Sequence, residues 1–202
     1  MSFVIYPPSL YKFLKIAKEQ NVEKTVLDCG AGGKRPPLAL FYLHGFKTKG
    51  IDVSDKQIKL AKGFEEVYEM ELDIKKADMT DLPFPDDSFG CVFTYNSSIH
   101  LTKKDTEKAI KEMLRVLKKD GLLYINFILN IEGRTYLGEE KNPGEFWMKI
   151  EDEDVVHSSY SDDEIDIYFK NTMIIFKEKR IFTVNNGSKH YTDGYIEYIV
   201  KK

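Results

Sequence analysis

The apolar positions follow helical and strand-like patterns in alternation along the first 130 residues. Leu10, Phe13, Leu14 and Ala17 recur at the spacing of one helix face and predict a helix over residues 6–20. Short apolar runs between such helical segments predict five strands, at residues 25–28, 48–53, 71–77, 91–95 and 122–129. Because strands and helices alternate, we expect an α/β fold with a parallel sheet and helices on both of its faces.

The last part of the chain has a different pattern. Residues 161–170 predict one more helix, and two β-rich segments follow at 172–184 and 191–201. Asn186-Gly187 lies between these two segments, and that dipeptide is typical of a β-hairpin turn. The chain is therefore expected to end in an antiparallel hairpin.

Length and composition favour one globular domain over residues 1–202, with a net charge of -3 and 42% hydrophobic residues. The absence of a basic excess disfavours nucleic acid as a partner. Cys29 and Cys91 stand far apart in apolar runs, without the spacing of metal ligands. The apolar stretch at 122–131 is too short and too polar to span a bilayer. These features predict a cytoplasmic protein that contacts no membrane, and they leave its oligomeric state open.

A glycine-rich turn, Cys-Gly-Ala-Gly-Gly at residues 29–33, follows the first predicted strand. Such a turn lets a ligand approach the backbone closely and aims N–H groups at it. Asp52 ends the second strand, where a carboxylate can accept both ribose hydroxyls. Asp78 ends the third strand and could accept a hydrogen bond from an adenine amino group. The carboxyl ends of the strands therefore predict a nucleoside site.

Two nucleoside cofactors fit this pattern. The dinucleotide fingerprint that starts at Gly30 requires a glycine at position 35, where this chain has Arg35, so a nicotinamide cofactor is disfavoured. Over residues 20–130 the chain instead resembles the class I S-adenosylmethionine-dependent methyltransferases. The motifs that carry this resemblance are VLDCGAG at 26–32, GIDVS at 50–54, ADM at 77–79, LPFPDDSF at 82–89 and MLRVLKKDG at 113–121.

The resemblance implies a Rossmann-like methyltransferase fold, with a mostly parallel seven-stranded sheet and a C-terminal antiparallel hairpin. It also implies S-adenosylmethionine as cofactor and S-adenosylhomocysteine as product. The binding residues that it implies are Asp28, Gly30, Ala31, Gly32, Asp52, Val53, Gln57, Asp78, Met79, Tyr95, Asn96 and Ser97.

Methyl transfer by in-line displacement depends mainly on positioning, and an oxygen or nitrogen acceptor can also need a general base. The candidate catalytic residues are His100, His157 and Tyr160, although each histidine could equally be structural. The acceptor atom, whether O, N, C or S, stays open.

Little of the chain lies outside the core fold, which favours a small-molecule acceptor. The aromatic-rich segment 130–160 is predicted to be an insertion that shapes the acceptor pocket, and the N-terminal helix is predicted to be its lid. A non-catalytic binding or interaction protein that kept the fold is the alternative to an enzyme.

Overall fold

The computed structural model describes residues 4–132, 134, 136–185, 187 and 190–202. The helices of this part of the chain are α1 (Pro8–Glu19), α2 (Leu38–Leu43), α3 (Asp55–Tyr68), α4 (Lys103–Val116) and α5 (Asp162–Asp166). Its strands are β1 (Thr25–Cys29), β2 (Lys47–Asp52), β3 (Ile74–Lys76), β4 (Phe89–Thr94), β5 (Leu117–Leu129), β6 (Glu139–Asn142), β7 (Glu145–Ile150), β8 (Glu153–Tyr160), β9 (Met173–Asn185) and β10 (His190–Lys201).

The main sheet has the strand order β3-β2-β1-β4-β5-β10-β9. The first five strands pair in parallel, and β10 pairs antiparallel with both β5 and β9. The predicted α/β fold, with its seven-stranded, mostly parallel sheet and terminal antiparallel hairpin, is confirmed. Asn186 of the predicted turn lies outside the described residues, and Gly187 has a φ of 82°.

A three-stranded meander, formed by β6, β7 and β8, joins the sheet along the last residues of β5, past the end of β4. Strand β8 pairs in parallel with the last residues of β5, β7 pairs antiparallel with β8, and β6 pairs antiparallel with β7. The sequence pattern predicted no strands here, because every residue of β6 is polar and exposed and thus lacks the alternation of a half-buried strand.

Several predicted element boundaries differ from the observed ones. Strand β5 begins directly where α4 ends, five residues before the predicted start, through the polar stretch at 118–120. Helix α3 runs without interruption through Gly63, and its N-cap Ser54 accepts a hydrogen bond from the Gln57 N–H at 3.3 Å. The predicted helix at 161–170 is α5 followed by one 3-10 turn.

Two apolar layers enclose the sheet. Helices α1, α2 and α3 cover one face, where the rings of Phe41 and Phe93 stack at 4.9 Å, and α4 and α5 cover the other face. Because both faces are covered, the accessible part of the parallel strands is their carboxyl edge, at which open α/β sheets bind ligands.

Candidate functional site

A cavity of about 560 Å³ lies at the carboxyl ends of β1 and β2. We call it the large cavity. Most of the predicted binding residues line it: Gly30, Gly32, Asp52, Val53, Gln57, Asp78, Met79, Asn96 and Ser97. The structure therefore brings together residues that stand up to 67 positions apart in the chain.

The glycine-rich turn forms one wall of the large cavity with its backbone. The N–H groups of Gly30 and Ala31 both donate to the Ile51 carbonyl at 2.8 Å, which fixes the turn against β2. Gly30 has a φ of 101°, and a Cβ at this position would lie 2.1 Å from the Ser97 Oγ. Only glycine fits here, because the Ser97 side chain already occupies the place of a Cβ.

The Asp52 carboxylate faces this turn. Its Oδ2 accepts a hydrogen bond from the Gly32 N–H and its Oδ1 accepts one from the Ser54 N–H, both at 2.9 Å. These two bonds lock the orientation of the carboxylate before any ligand arrives. Each carboxylate oxygen can accept a further hydrogen bond, so a vicinal diol can still bind there.

Asp28 lies in β1, directly before the turn, and is 1% exposed. Neither of its carboxylate oxygens has a hydrogen-bond partner among the described residues. Burial, together with the nearby Asp52 charge, raises the pKa of the Asp28 carboxyl well above its ordinary value. A buried carboxyl without partners is energetically unfavourable, and a ligand that supplies a donor would relieve this cost.

Asp78 and Met79 line the large cavity after β3. The Asp78 Oδ1 accepts the Thr80 N–H at 2.8 Å, so this carboxylate also stabilises a local turn. The sequence pattern missed the apolar residues Ile51, Ala77 and Leu101, which also line the cavity. Their signal was weak because apolar residues at strand ends are equally typical of the core.

Asn96 follows β4 and has a φ of 56°. A reciprocal pair of hydrogen bonds holds it in this left-handed conformation. The Asn96 N–H donates to the Asn126 Oδ1 at 2.9 Å, and the Asn126 Nδ2 donates to the Asn96 Oδ1 at 2.6 Å. The Asn96 side-chain amide therefore keeps its N–H groups for another partner.

A second cavity of about 310 Å³ also has Asn96 in its wall. We call it the small cavity. It lies between the start of α1 and the β9–β10 hairpin, and it is lined by Pro7, Pro8, Ser9, Tyr95, Asn96, Asn126, Arg180, Phe182, Tyr195 and Glu197. Tyr95, which the resemblance placed with the cofactor, lines this cavity instead of the large one. Asn96 is shared, so the two cavities adjoin at the end of β4.

The three predicted catalytic residues occupy different environments. His100 lines the large cavity, and its ring lies 4.8 Å from the ring of His157. Tyr160 is 1% exposed and packs against Phe127, and it lines neither cavity. No described residue of the segment 130–160 lines either cavity. The walls of the two cavities therefore do not support the prediction that this segment shapes the acceptor pocket.

The histidine pair predicts a loss of stability in mild acid. The pKa of His157 is lowered from 6.5 by burial, with smaller contributions from the charges of His100 and Arg134, and its Nε2 has no hydrogen-bond partner among the described residues. The folded state therefore binds fewer protons here than the unfolded chain. The contribution is fully present above pH 6.5 and is lost as the pH falls through the folded-state pKa.

We expect His157→Phe to reduce this dependence, while His100, whose pKa is also lowered by burial, keeps its own part of it. Between pH 7 and pH 5.5, the unfolding free energy of the wild type should fall relative to that of the variant by at most about 1.4 kcal/mol per pH unit. The melting temperature of the wild type should fall with it. Thermal melts across this range test the prediction, with a substitution at the exposed His190 as the control. Parallel curves for wild type and His157→Phe would contradict it.

Comparison with known proteins agrees with this geometry. Residues 27–125 match the family model described as "Methyltransferase domain". Residues 27–125 thus match a methyltransferase domain, and the resemblance of the chain to the class I S-adenosylmethionine-dependent methyltransferases is confirmed.

Individual relatives cover parts of the chain. An uncharacterized methyltransferase, YcgJ of Bacillus subtilis, is 34% identical over 51% of this chain, and the ajmaline N-methyltransferase of Rauvolfia serpentina is 29% identical over 63%. Each match spans 40% of the length of the relative. The crystal structure of an S-adenosylmethionine-dependent methyltransferase from Clostridium acetobutylicum shares the fold, with a TM-score of 0.73 and 16% identity over 98% of this chain and 92% of its own.

In the part of the chain that the structure describes, no helix combines the length and the apolar character needed to cross a bilayer.

Proposed function

We propose that this protein is an S-adenosylmethionine-dependent methyltransferase that acts on a small-molecule acceptor in the cytoplasm. The observation that carries the proposal is the large cavity, where a glycine-rich turn faces a carboxylate that backbone N–H groups already hold in place. The family-model match of residues 27–125 and the small-molecule substrates in the names of relatives, such as ajmaline, support it.

The residues of the large cavity fit the cofactor part by part. The two oxygens of Asp52 would accept the ribose hydroxyls, and Asp78 would accept from the adenine amino group. Asp28 does not line the cavity but lies directly before the turn, and its unpartnered carboxyl fits the amino group of the methionine moiety, directly or through a water molecule. Because Gly30 and Gly32 carry no side chains, the turn lies closely against Ser97, Asp52 and Gln57, and a Cβ at either glycine would displace these cavity-lining side chains.

When bound, the cofactor would supply an electrophilic methyl group on a sulfonium. The protein would contribute position and orientation. Asn96 stands where the two cavities adjoin, and its free amide N–H groups can orient an acceptor atom there. His100 lines the same cavity. The pKa of its ring is lowered because the surrounding protein displaces water, so it is neutral near pH 7 and able to accept a proton.

Calorimetric titration with S-adenosylmethionine, S-adenosylhomocysteine and NAD tests this proposal. We expect micromolar affinity for the two adenosyl ligands and no binding of NAD. Binding of NAD alone would replace the proposal with a nicotinamide-dependent enzyme. A folded protein that binds none of the three would favour the non-catalytic interaction protein.

A further inference from the structure

Charge and aromatic rings are combined in the wall of the small cavity. Glu197 is 7% exposed, and it is the one carboxylate among the described residues that line this cavity. The rings of Tyr95, Tyr195 and Phe182 line the same space, and those of Phe182 and Tyr195 stack at 6.2 Å with an interplanar angle of 12°. A carboxylate beside aromatic faces presents negative electrostatic potential from both components.

Arg180 is the one cationic side chain in the same set of lining residues, and two carboxylates already share it. Its Nε donates to the Glu178 Oε1 at 3.2 Å, and its Nη2 lies 3.4 Å from the Glu178 Oε2 and 3.3 Å from the Glu197 Oε2. The guanidinium charge is therefore compensated, and an anionic ligand would have to compete with both glutamates for it.

Glu197 keeps capacity for a ligand. Its Oε1 accepts a hydrogen bond from the Tyr124 hydroxyl at 3.2 Å, and its Oε2 accepts the long contact from Arg180. Because each carboxylate oxygen can accept two hydrogen bonds, one site on each oxygen remains. These remaining sites suit an N–H donor that enters between the rings.

We propose that the small cavity binds a compact amine with an aromatic or similarly flat apolar body, and that this amine is the methyl acceptor. The inference rests on the proposed function, since Asn96 joins this cavity to the one assigned to the cofactor. The volume of 310 Å³ is at the lower end of ligand pockets, which span about 300–1,000 Å³, and so favours a compact ligand.

The chemistry balances with groups already named. The Glu197 carboxylate first takes one proton from the bound ammonium, which gives the nitrogen a lone pair. This lone pair then forms the new N–C bond, while the electrons of the broken C–S bond stay on sulfur, which becomes a neutral thioether. The product is the N-methylammonium, and Glu197 passes its proton to solvent.

Binding of three probes of matched shape tests the proposal without any turnover. The probes are 2-phenylethylamine, 2-phenylethanol and 3-phenylpropionate, titrated into the protein by ligand-observed NMR at pH 7.5. We expect the amine to bind about tenfold more tightly than either of the other two, because it alone can pair a positive charge of its own with the Glu197 carboxylate. Equal or tighter binding of the alcohol or the carboxylate, or no amine binding, would overturn the proposal.

Three variants then separate the roles of the charges. Glu197→Gln should weaken amine binding about tenfold, whereas Arg180→Gln should strengthen it by removing a competing cation. Glu178→Gln removes a negative charge, as Glu197→Gln does, but Glu178 contacts the other side of the guanidinium and does not line the cavity. This variant should change amine affinity less than twofold. Amine binding that is weakened by Arg180→Gln or unaffected by Glu197→Gln would contradict the assignment.

Melting curves of each variant establish that it is folded. Affinity for S-adenosylhomocysteine is measured separately on the same samples. In the wild type, absence of S-adenosylhomocysteine binding with amine binding intact would refute the cofactor assignment alone. Absence of amine binding with S-adenosylhomocysteine binding intact would refute the acceptor assignment alone.

Discussion

Asp52→Ala is expected to weaken the binding of S-adenosylhomocysteine by about 100-fold or more. The carboxylate would form two charge-assisted hydrogen bonds to the ribose, and such bonds contribute about 1.5–3 kcal/mol each. The substitution also removes the acceptors of the Gly32 and Ser54 N–H groups, which loosens the turn that faces the ligand. Calorimetric titration measures both the affinity and the stoichiometry.

Two further variants identify which of these contributions dominates. Asp52→Asn keeps one oxygen to hold a backbone N–H but removes the charge, so we expect a smaller loss, of about 10-fold. Asp55→Ala, three residues further on and ion-paired with Lys76, changes a charge outside the cavity and should leave affinity unchanged. A folded Asp52→Ala protein with affinity within threefold of wild type would refute the ribose assignment.

Asp28→Asn is expected to stabilise the protein while weakening its cofactor binding. Because the pKa of this carboxyl is raised in the folded state, the folded state binds more protons than the unfolded chain. Its favourable contribution is complete below the ordinary carboxyl pKa and is lost as the pH rises through the folded-state value. At pH 8 the asparagine variant should therefore gain about 1–3 kcal/mol, or roughly 2–12 °C in melting temperature.

The same substitution removes the negative charge that fits the amino group of the ligand, so affinity for S-adenosylhomocysteine should fall about 10-fold. Asp73→Asn is a control of opposite sign, because the ion pair with Lys49 lowers the pKa of the Asp73 carboxyl. It should destabilise the protein near pH 7, and the difference should vanish in acid. A less stable Asp28→Asn protein at pH 8 would show that Asp28 has a partner in solution.

The large cavity was predictable from the sequence because its residues lie in short segments at strand ends, next to the turn motif itself. Asp28, Gly30 and Asp52 could each be assigned from their position relative to one strand. The small cavity could not be predicted in this way. Ser9 and Glu197 lie at opposite ends of the chain, and only the pairing of β10 with β5 brings them together.

A local signal for the small cavity did exist. Asn126 interrupts the apolar run of β5 and Glu197 interrupts that of β10, and buried polar residues in central strands require partners. These two exceptions are visible in the sequence, but their pairing partners depend on the register Glu197↔Asn126, which the sequence pattern does not specify. The meander at 139–160 was missed for a different reason, since its first strand has no buried face.

Because β10 is the last strand, the two cavities are completed at different times during synthesis on the ribosome. Every residue that lines the large cavity lies between positions 30 and 101, and Asn126, which holds Asn96, follows in β5, so this cavity can be complete once β5 has been made. The wall of the small cavity at Arg180, Tyr195 and Glu197 arrives only with the final strands. A nascent chain can therefore capture its nucleoside ligand, and gain stability from it, before the second binding space exists.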